Sequence, residues 1–210
     1  MTARLIAFEG GEGTGKSTQA DLLAERLRGR GHEVVLTREP GGTPGAEAIR
    51  ALLIEGDRDR WTPMTEALLL NAARADHVER LIRPALARGA WVVTDRFVDS
   101  TFAYQGSAKG MRAGDLRDLH RIACGGLLPD LTVLLDVPIA EGLARAHARG
   151  STNRFEAEDA DFHERVRLGF WGLAEASPDT YRIVETGGGI DVTAERVWAE
   201  INRLAPQHGA

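Results

Sequence analysis

One cysteine in 210 residues, Cys124, leaves no partner for an intrachain disulfide and no second thiolate for a zinc ribbon. A free cysteine behaves as a small hydrophobe, so burial is the expectation for it. A basic excess is also missing: 26 Lys and Arg stand against 31 Asp and Glu, a net charge of -5. A general nucleic-acid binder needs a basic field, so nucleic acid is not an expected partner, and any phosphate chemistry must come from a local cluster of arginines. No run approaches the ~20 apolar residues of a membrane span. The apolar run between Arg4 and Glu9 is too short for a secretory leader, so the expectation is a soluble cytoplasmic protein with no membrane partner. Internal repeats, low-complexity tracts and long linkers are absent as well. The 43% hydrophobic content then suffices for a sizeable core in a single domain, residues 1–210.

What is present is a regular alternation. Five short β-rich runs recur, at Leu5–Phe8, Val34–Thr37, Trp91–Asp95, Leu131–Asp136 and Tyr181–Glu185. They are often continuously apolar, as expected for strands covered on both faces. Helical patterns lie between them: Ser17–Arg30, Ala46–Ile54, Thr65–Arg88, Gly114–Cys124, Ile139–Arg149, Asp161–Ala174 and Thr193–Leu204. Pro84 lies inside the longest and is expected to kink or divide it. Strand–helix alternation predicts parallel crossovers, hence a doubly wound α/β fold.

Between the first strand and the first helix runs Gly10-Gly11-Glu12-Gly13-Thr14-Gly15-Lys16-Ser17, followed by Thr18. Four glycines there cannot pack a core. They let the backbone curl so that successive N–H groups converge on a phosphate, aided by the helix N-terminus that follows. At this spacing Lys16 reaches β- and γ-phosphates and the Ser17 hydroxyl can ligate magnesium. With a strand before it and a helix after it, the pattern reads as a nucleoside-triphosphate site. No N-K-x-D guanine-reading motif is present, and the chain leaves little room for the docking domains of a motor. A small kinase is favoured, because other clusters could bind a second, phosphorylated substrate.

Asp95-Arg96-Phe97 closes the third strand, at the carboxyl edge where open α/β sheets bind ligands. An arginine there can clamp phosphate oxygens, although a strand-end salt bridge would look the same. Arg74 interrupts the apolar pattern of the long helix, and Arg50 lies in the helix after "TREPGGT". Each alone reads as a solvated helix charge, and only their joint occurrence suggests a site. Near position 150, "RAHARGSTNRFEAED" concentrates Arg145, Arg149 and Arg154 beside Gly150 and Ser151, as a hinged lid over a nucleotide would. His147 and His163 have no metal partners at useful spacing and read as surface residues.

Taken together, "FEGGEGTGKST", "LTREPGGT", "EAIRALL", "NAARADHV", "VVTDRFVDSTFAYQG", "LLDV" and "RAHARGSTNRFE" resemble the bacterial thymidylate kinases in family order over nearly the whole chain. The resemblance implies a phosphate-loop NTPase fold with a five-stranded parallel sheet in the order 2-3-1-4-5. It implies transfer of the ATP γ-phosphoryl group to dTMP, giving dTDP on the route to dTTP, with Mg2+ and as a homodimer. By position it assigns the ATP site to Gly10 through Thr18 and the dTMP monophosphate to Arg38, Arg50 and Arg96. Asp95 falls near the magnesium and the transferring group. Arg74, Ser100, Thr101 and Gln105 fall in the base and sugar pocket, Tyr104 under the deoxyribose, and Glu12 at the 3′-hydroxyl. Thr14 is not basic, which matches the variant carrying catalytic arginines in the lid, about 145–158, so Arg149 and Arg154 are assigned that role. Arg145 is expected on the preceding helix surface. One position departs: Leu70 stands where the family commonly places a phenylalanine against thymine. A deoxynucleoside kinase, or an ATP-binding switch with no small-molecule acceptor, are the alternative readings.

Overall fold

A computed structural model describes residues 4–148, 150 and 154–204. Its strands are β1 (Leu5–Glu9), β2 (Val34–Arg38), β3 (Trp91–Asp95), β4 (Leu131–Asp136) and β5 (Tyr181–Glu185). They form one all-parallel sheet in the order β2-β3-β1-β4-β5. The sequence order reverses beside β1, which opens a crevice at its carboxyl end. The register sets Phe8 of β1 and Arg38 of β2 both opposite Asp95, so three strand ends converge where the phosphate loop begins.

The alternation within β1 explains how both faces are covered. Ile6 and Phe8 face α1 (Lys16–Gly29) and α9 (Ile190–Ile201), packing with Leu23, Leu27, Val197 and Trp198. Leu5 and Ala7 face the other way, onto Val78, Ile82, Phe97 and the buried Cys124. A third cluster joins Tyr104 to Phe162, Val166 and Phe170 of α8 (Ala160–Ala176).

Side-chain caps start several helices. Thr43 accepts from Ala46 N–H at α2 (Pro44–Ile54), and Thr62 from Thr65 N–H at α3 (Pro63–His77), each with proline in the first turn. The long helix expected over 65–88 is divided into α3, a π-helical segment Val78–Ile82 and α4 (Arg83–Ala87). Pro84 lies just after the π-helical segment, at the start of α4. Beyond β3 the chain forms α5 (Val98–Thr101) and a second π-helical segment, Phe102–Ala108, then α6 (Ala113–Cys124). Neither short element shows an apolar period long enough to read. Before α8 comes α7 (Ile139–His147). Among the described residues no helix is long and apolar enough to cross a membrane.

Candidate active site

Gly13 fixes the shape of the loop between β1 and α1. Its φ is 68°, and a β-carbon there would meet the Gly142 carbonyl oxygen of α7 at 1.8 Å, so only glycine fits. The N-cap of α1 is Gly15 and no side chain caps the helix, which leaves its first-turn N–H groups and its dipole to an anion. Lys16 Nζ donates to the Gly11 carbonyl at 2.6 Å and lies 3.3 Å from Thr14 Oγ1. Burial, with Arg96 nearby, pulls its pKa down to about 8 against the attraction of Glu12, Asp95 and Glu9. The Ser17 hydroxyl donates to Asp95 Oδ2 at 2.5 Å. Two hard oxygen donors so close fit a magnesium ion that completes its shell with phosphate oxygens and water. Among the described residues no cluster of three His, Cys, Asp or Glu could hold a metal by itself.

Across the crevice stands Arg96, at φ 69°. Its guanidinium donates to Glu12 Oε1 (2.9 Å), and to Tyr104 Oη, Ser100 Oγ and the Gly10 carbonyl (each 3.1 Å). Tyr104 donates to the same Glu12 oxygen at 2.8 Å. Burial would raise the Glu12 pKa, but Arg96 and Lys16 outweigh it and hold the carboxyl down to about 2. Glu12 is therefore ionised, and it points at Arg96. Arg74 of α3, also buried, donates to Glu39 Oε2 (2.7 Å), Thr101 Oγ1 (3.0 Å) and the Phe97 carbonyl (3.3 Å). Arg50 donates to the Pro40 carbonyl at 2.8 Å, and Arg38 pairs with Glu47 at 3.1 Å. Gln105 donates to Glu66 at 2.6 Å.

These groups line one cavity of about 920 Å³, which runs from Lys16, Ser17 and Thr18 past Asp95 and Arg96 to Leu70, Arg74, Thr101 and Gln105. Arg38 and Arg50 form part of its wall, and half-buried Leu70 presents an aliphatic face to it. The arrangement can hold a polyphosphate at one end and a second anion, with an attached ring, at the other.

Three expectations need correcting or bounding. Arg154 was expected on a mobile lid as a transition-state charge. It lines the cavity, but its guanidinium is buried and bound to Glu66 and to the Leu53 and Arg58 carbonyls. His163 was expected at the surface and is buried, with the Phe162 ring edge-on at 5.6 Å; its place in the first turn of α8 turns it inward. Arg149 lies outside the described residues. Arg145 does lie on the surface of α7, paired with Glu141. Sequence reading missed the acids that hold these cations: Glu9, Glu39 and Glu66, all buried. The available signal was a carboxylate inside a motif otherwise destined for burial.

A phosphate loop on this sheet order, facing an arginine-lined second anion site, defines a nucleotide phosphotransferase. Comparison with known proteins makes the class specific. The Thymidylate kinase family model matches residues 8–197. A thymidylate kinase of Caulobacter vibrioides is 54% identical over 200 residues, covering 95% of this chain and 96% of that protein. Another, of Rhizorhabdus wittichii, is 50% identical over 208 residues, covering 98% and 100%. The crystal structure of thymidylate kinase from Ehrlichia chaffeensis superposes with a TM-score of 0.80 at 31% identity, covering 98% of this chain and all of that one. The chain belongs to the thymidylate kinase family.

Proposed function

We propose that this chain transfers the γ-phosphoryl group of ATP to the 5′-phosphate of dTMP, giving dTDP and ADP. The observation that carries the reading is the cavity with two anion sites face to face, the uncapped start of α1 with Lys16 and, across from it, Arg96. Phosphoryl transfer asks little covalent chemistry of a protein and much positioning and charge stabilisation, which is what this cavity offers.

In this reading the loop N–H groups and Lys16 hold the β- and γ-phosphates. Magnesium, held beside Ser17 and Asp95, would supply charge neutralisation to the phosphate oxygens. Arg96 and Arg50 hold the acceptor phosphate in line with the γ-phosphate. Glu12 Oε1 is committed to Arg96 and Tyr104, while Oε2 has no hydrogen-bond partner among the described residues and is open to a sugar hydroxyl. Tyr104 would lie under the deoxyribose. Arg74, Thr101 and Gln105 would read the base edge, with Leu70 supplying the apolar face. Catalytic charge from Arg149 and from Arg154, the latter acting from its anchored place in the cavity wall, belongs to the same reading, as do a single domain with a lid at about 145–158, a homodimer and a cytoplasmic location. Exposed Leu68 of α3 and Ile122 of α6, on two helices in contact, support a face for a second copy.

A coupled ADP-release assay across dTMP, dUMP, dCMP and thymidine tests the proposal. The expected result is turnover that requires an acceptor and is fastest with dTMP. Turnover of thymidine but not dTMP, or hydrolysis of ATP at the same rate without any acceptor, would refute it.

A further inference from the structure

The turn that carries Arg96 is held by Glu9, which lies just before the phosphate loop and has no assigned role. Among the described residues Arg96 is the one non-glycine with a positive φ, 69°. A side chain bearing a β-carbon keeps that conformation only where its surroundings over-determine it. The next residues show how. Glu9 Oε1 accepts from Phe97 N–H at 2.8 Å and from Ser100 N–H at 3.1 Å, and Oε2 accepts from the Ser100 hydroxyl at 2.6 Å. Phe97 is the N-cap of α5, and that helix has no side-chain cap of its own. A carboxylate from the end of β1 therefore caps α5 across the sheet. Ser100 Oγ in turn accepts from Arg96 Nη1 at 3.1 Å. Glu9 thus touches the Arg96 turn twice, at the backbone just after the strained residue and, through Ser100, at the guanidinium.

Capping alone does not require this residue type. A fully buried carboxylate, with a second buried acid, Asp99, close by, is costly to desolvate, and a neutral amide could accept from the same two N–H groups at lower cost. The cations that face the charge are Arg96, which it reaches through Ser100, and Lys16. We propose that Glu9 is a positioning residue for the acceptor-phosphate clamp, fixing the strained turn and the aim of the Arg96 guanidinium through Ser100. The inference rests on the reading of Arg96 as that clamp. Its effect should fall on the acceptor's phosphate and spare both its base and ATP.

The test uses the whole chain with Glu9→Gln, which keeps a carbonyl for the two N–H groups but puts a donating amide nitrogen where Oε2 accepts from the Ser100 hydroxyl. Ser100→Ala breaks the same link from the other side and serves if Glu9→Gln fails to fold. Calorimetric Kd values are compared for dTMP, thymidine and a non-hydrolysable ATP analogue. Glu9→Gln should weaken dTMP by about 10- to 100-fold, the scale of one hydrogen bond to a charged group, and leave thymidine and the ATP analogue within about twofold. Ser100→Ala, whose own side chain lines the pocket, should lower the ratio of dTMP to thymidine affinity by a similar factor. The double variant should lose no more than the larger single loss, because both act on one link. The inference is overturned if both variants keep the wild-type ratio of dTMP to thymidine affinity. It is also overturned if all three ligands weaken alike. A wild-type protein that binds thymidine as tightly as dTMP overturns the Arg96 reading, and this inference with it.

Discussion

Replacing Arg154 with alanine separates two roles for one arginine. In the structure Nη2 meets Glu66, Nε donates to the Leu53 carbonyl at 2.5 Å and Nη1 to the Arg58 carbonyl at 3.2 Å. The guanidinium also lies 4.5 Å from the Phe155 ring centroid. Glu66 is fully buried, so removing its partner leaves a charge without water to solvate it. Breaking a buried pair in this way typically costs about 3–5 kcal/mol. Here the loss should be smaller, because Lys109 (2.9 Å) and Gln105 (2.6 Å) still hold the carboxylate. A loss of about 2–3 kcal/mol follows, which for a chain of this size lowers Tm by roughly 4–12 °C. Arg154→Lys keeps the charge but cannot reach three acceptors in three directions, so about half that loss is expected. Thermal unfolding by circular dichroism measures both variants beside kcat and the dTMP KM. An anchored Arg154 predicts a large drop in Tm, and a KM change that follows from a loosened acceptor pocket. A freely swinging catalytic arginine predicts the reverse. If Arg154→Ala melts within about 1 °C of the parent while kcat falls a hundredfold, the anchoring argument is wrong.

Lys16→Ala should lower kcat by roughly a hundredfold or more with the fold intact, the scale of losing one preorganised electrostatic group; near-normal turnover in steady-state assays would contradict the loop assignment. Because burial and Arg96 hold Lys16 at about 8, unfolded chain keeps that proton over a range of higher pH where the folded protein has released it. This group's contribution to stability therefore rises with pH above about 8, and the stability advantage of Lys16→Met over the parent in urea melts should shrink between mildly and strongly alkaline buffer. If Glu12 Oε2 receives the 3′-hydroxyl, a 3′-deoxy dTMP should be a poor acceptor, and Glu12→Gln should narrow the difference in kcat/KM, since an amide suffers less without its partner. An equally wide gap in both proteins would place Glu12 outside the sugar site. Leu70→Phe should tighten dTMP by about 0.5–1.5 kcal/mol through ring contact. An unchanged Kd at unchanged Tm would place residue 70 away from the base.

The positions of the five strands were legible because each is a short apolar run bounded by loops or caps, whereas their order in the sheet came only with the family resemblance. The phosphate loop was legible for a different reason: glycine spacing is a backbone requirement, visible at Gly13 as a collision that any β-carbon would make. Segments without a period were not legible. The stretch 98–108 folds as one turn of α-helix followed by a π-helical segment, and its path follows from Glu9, Tyr104 and Gln105 finding tertiary partners. His163 failed the same way. An isolated histidine carries no periodic signal, and only the docking of α8 against Tyr104 and Phe155 decides its burial.

The cations of the site could be guessed because they answer to ligands, whereas the acids answer to the cations. Glu12 holds Arg96, Glu39 holds Arg74, and Glu66 holds Arg154, with Glu9 acting on Arg96 through Ser100. Sequence reading assigns a role to Glu12 alone among these acids. In the fold each holds a guanidinium in one direction before a ligand arrives, which lowers the ordering cost of binding. Two cations in the cavity are left without such a partner. Lys16 is bonded to the Gly11 carbonyl and Thr14, Arg50 to the Pro40 carbonyl, and neither forms an ion pair among the described residues. Burial holds the pKa of each below its usual value, so each is a charge the fold keeps at a cost and an anion would stabilise. Lys16 stands at the triphosphate end and Arg50 on the wall of the second anion site. The paired arginines set the geometry, and the unpaired cations supply the attraction at the two places where the proposed reaction needs phosphate.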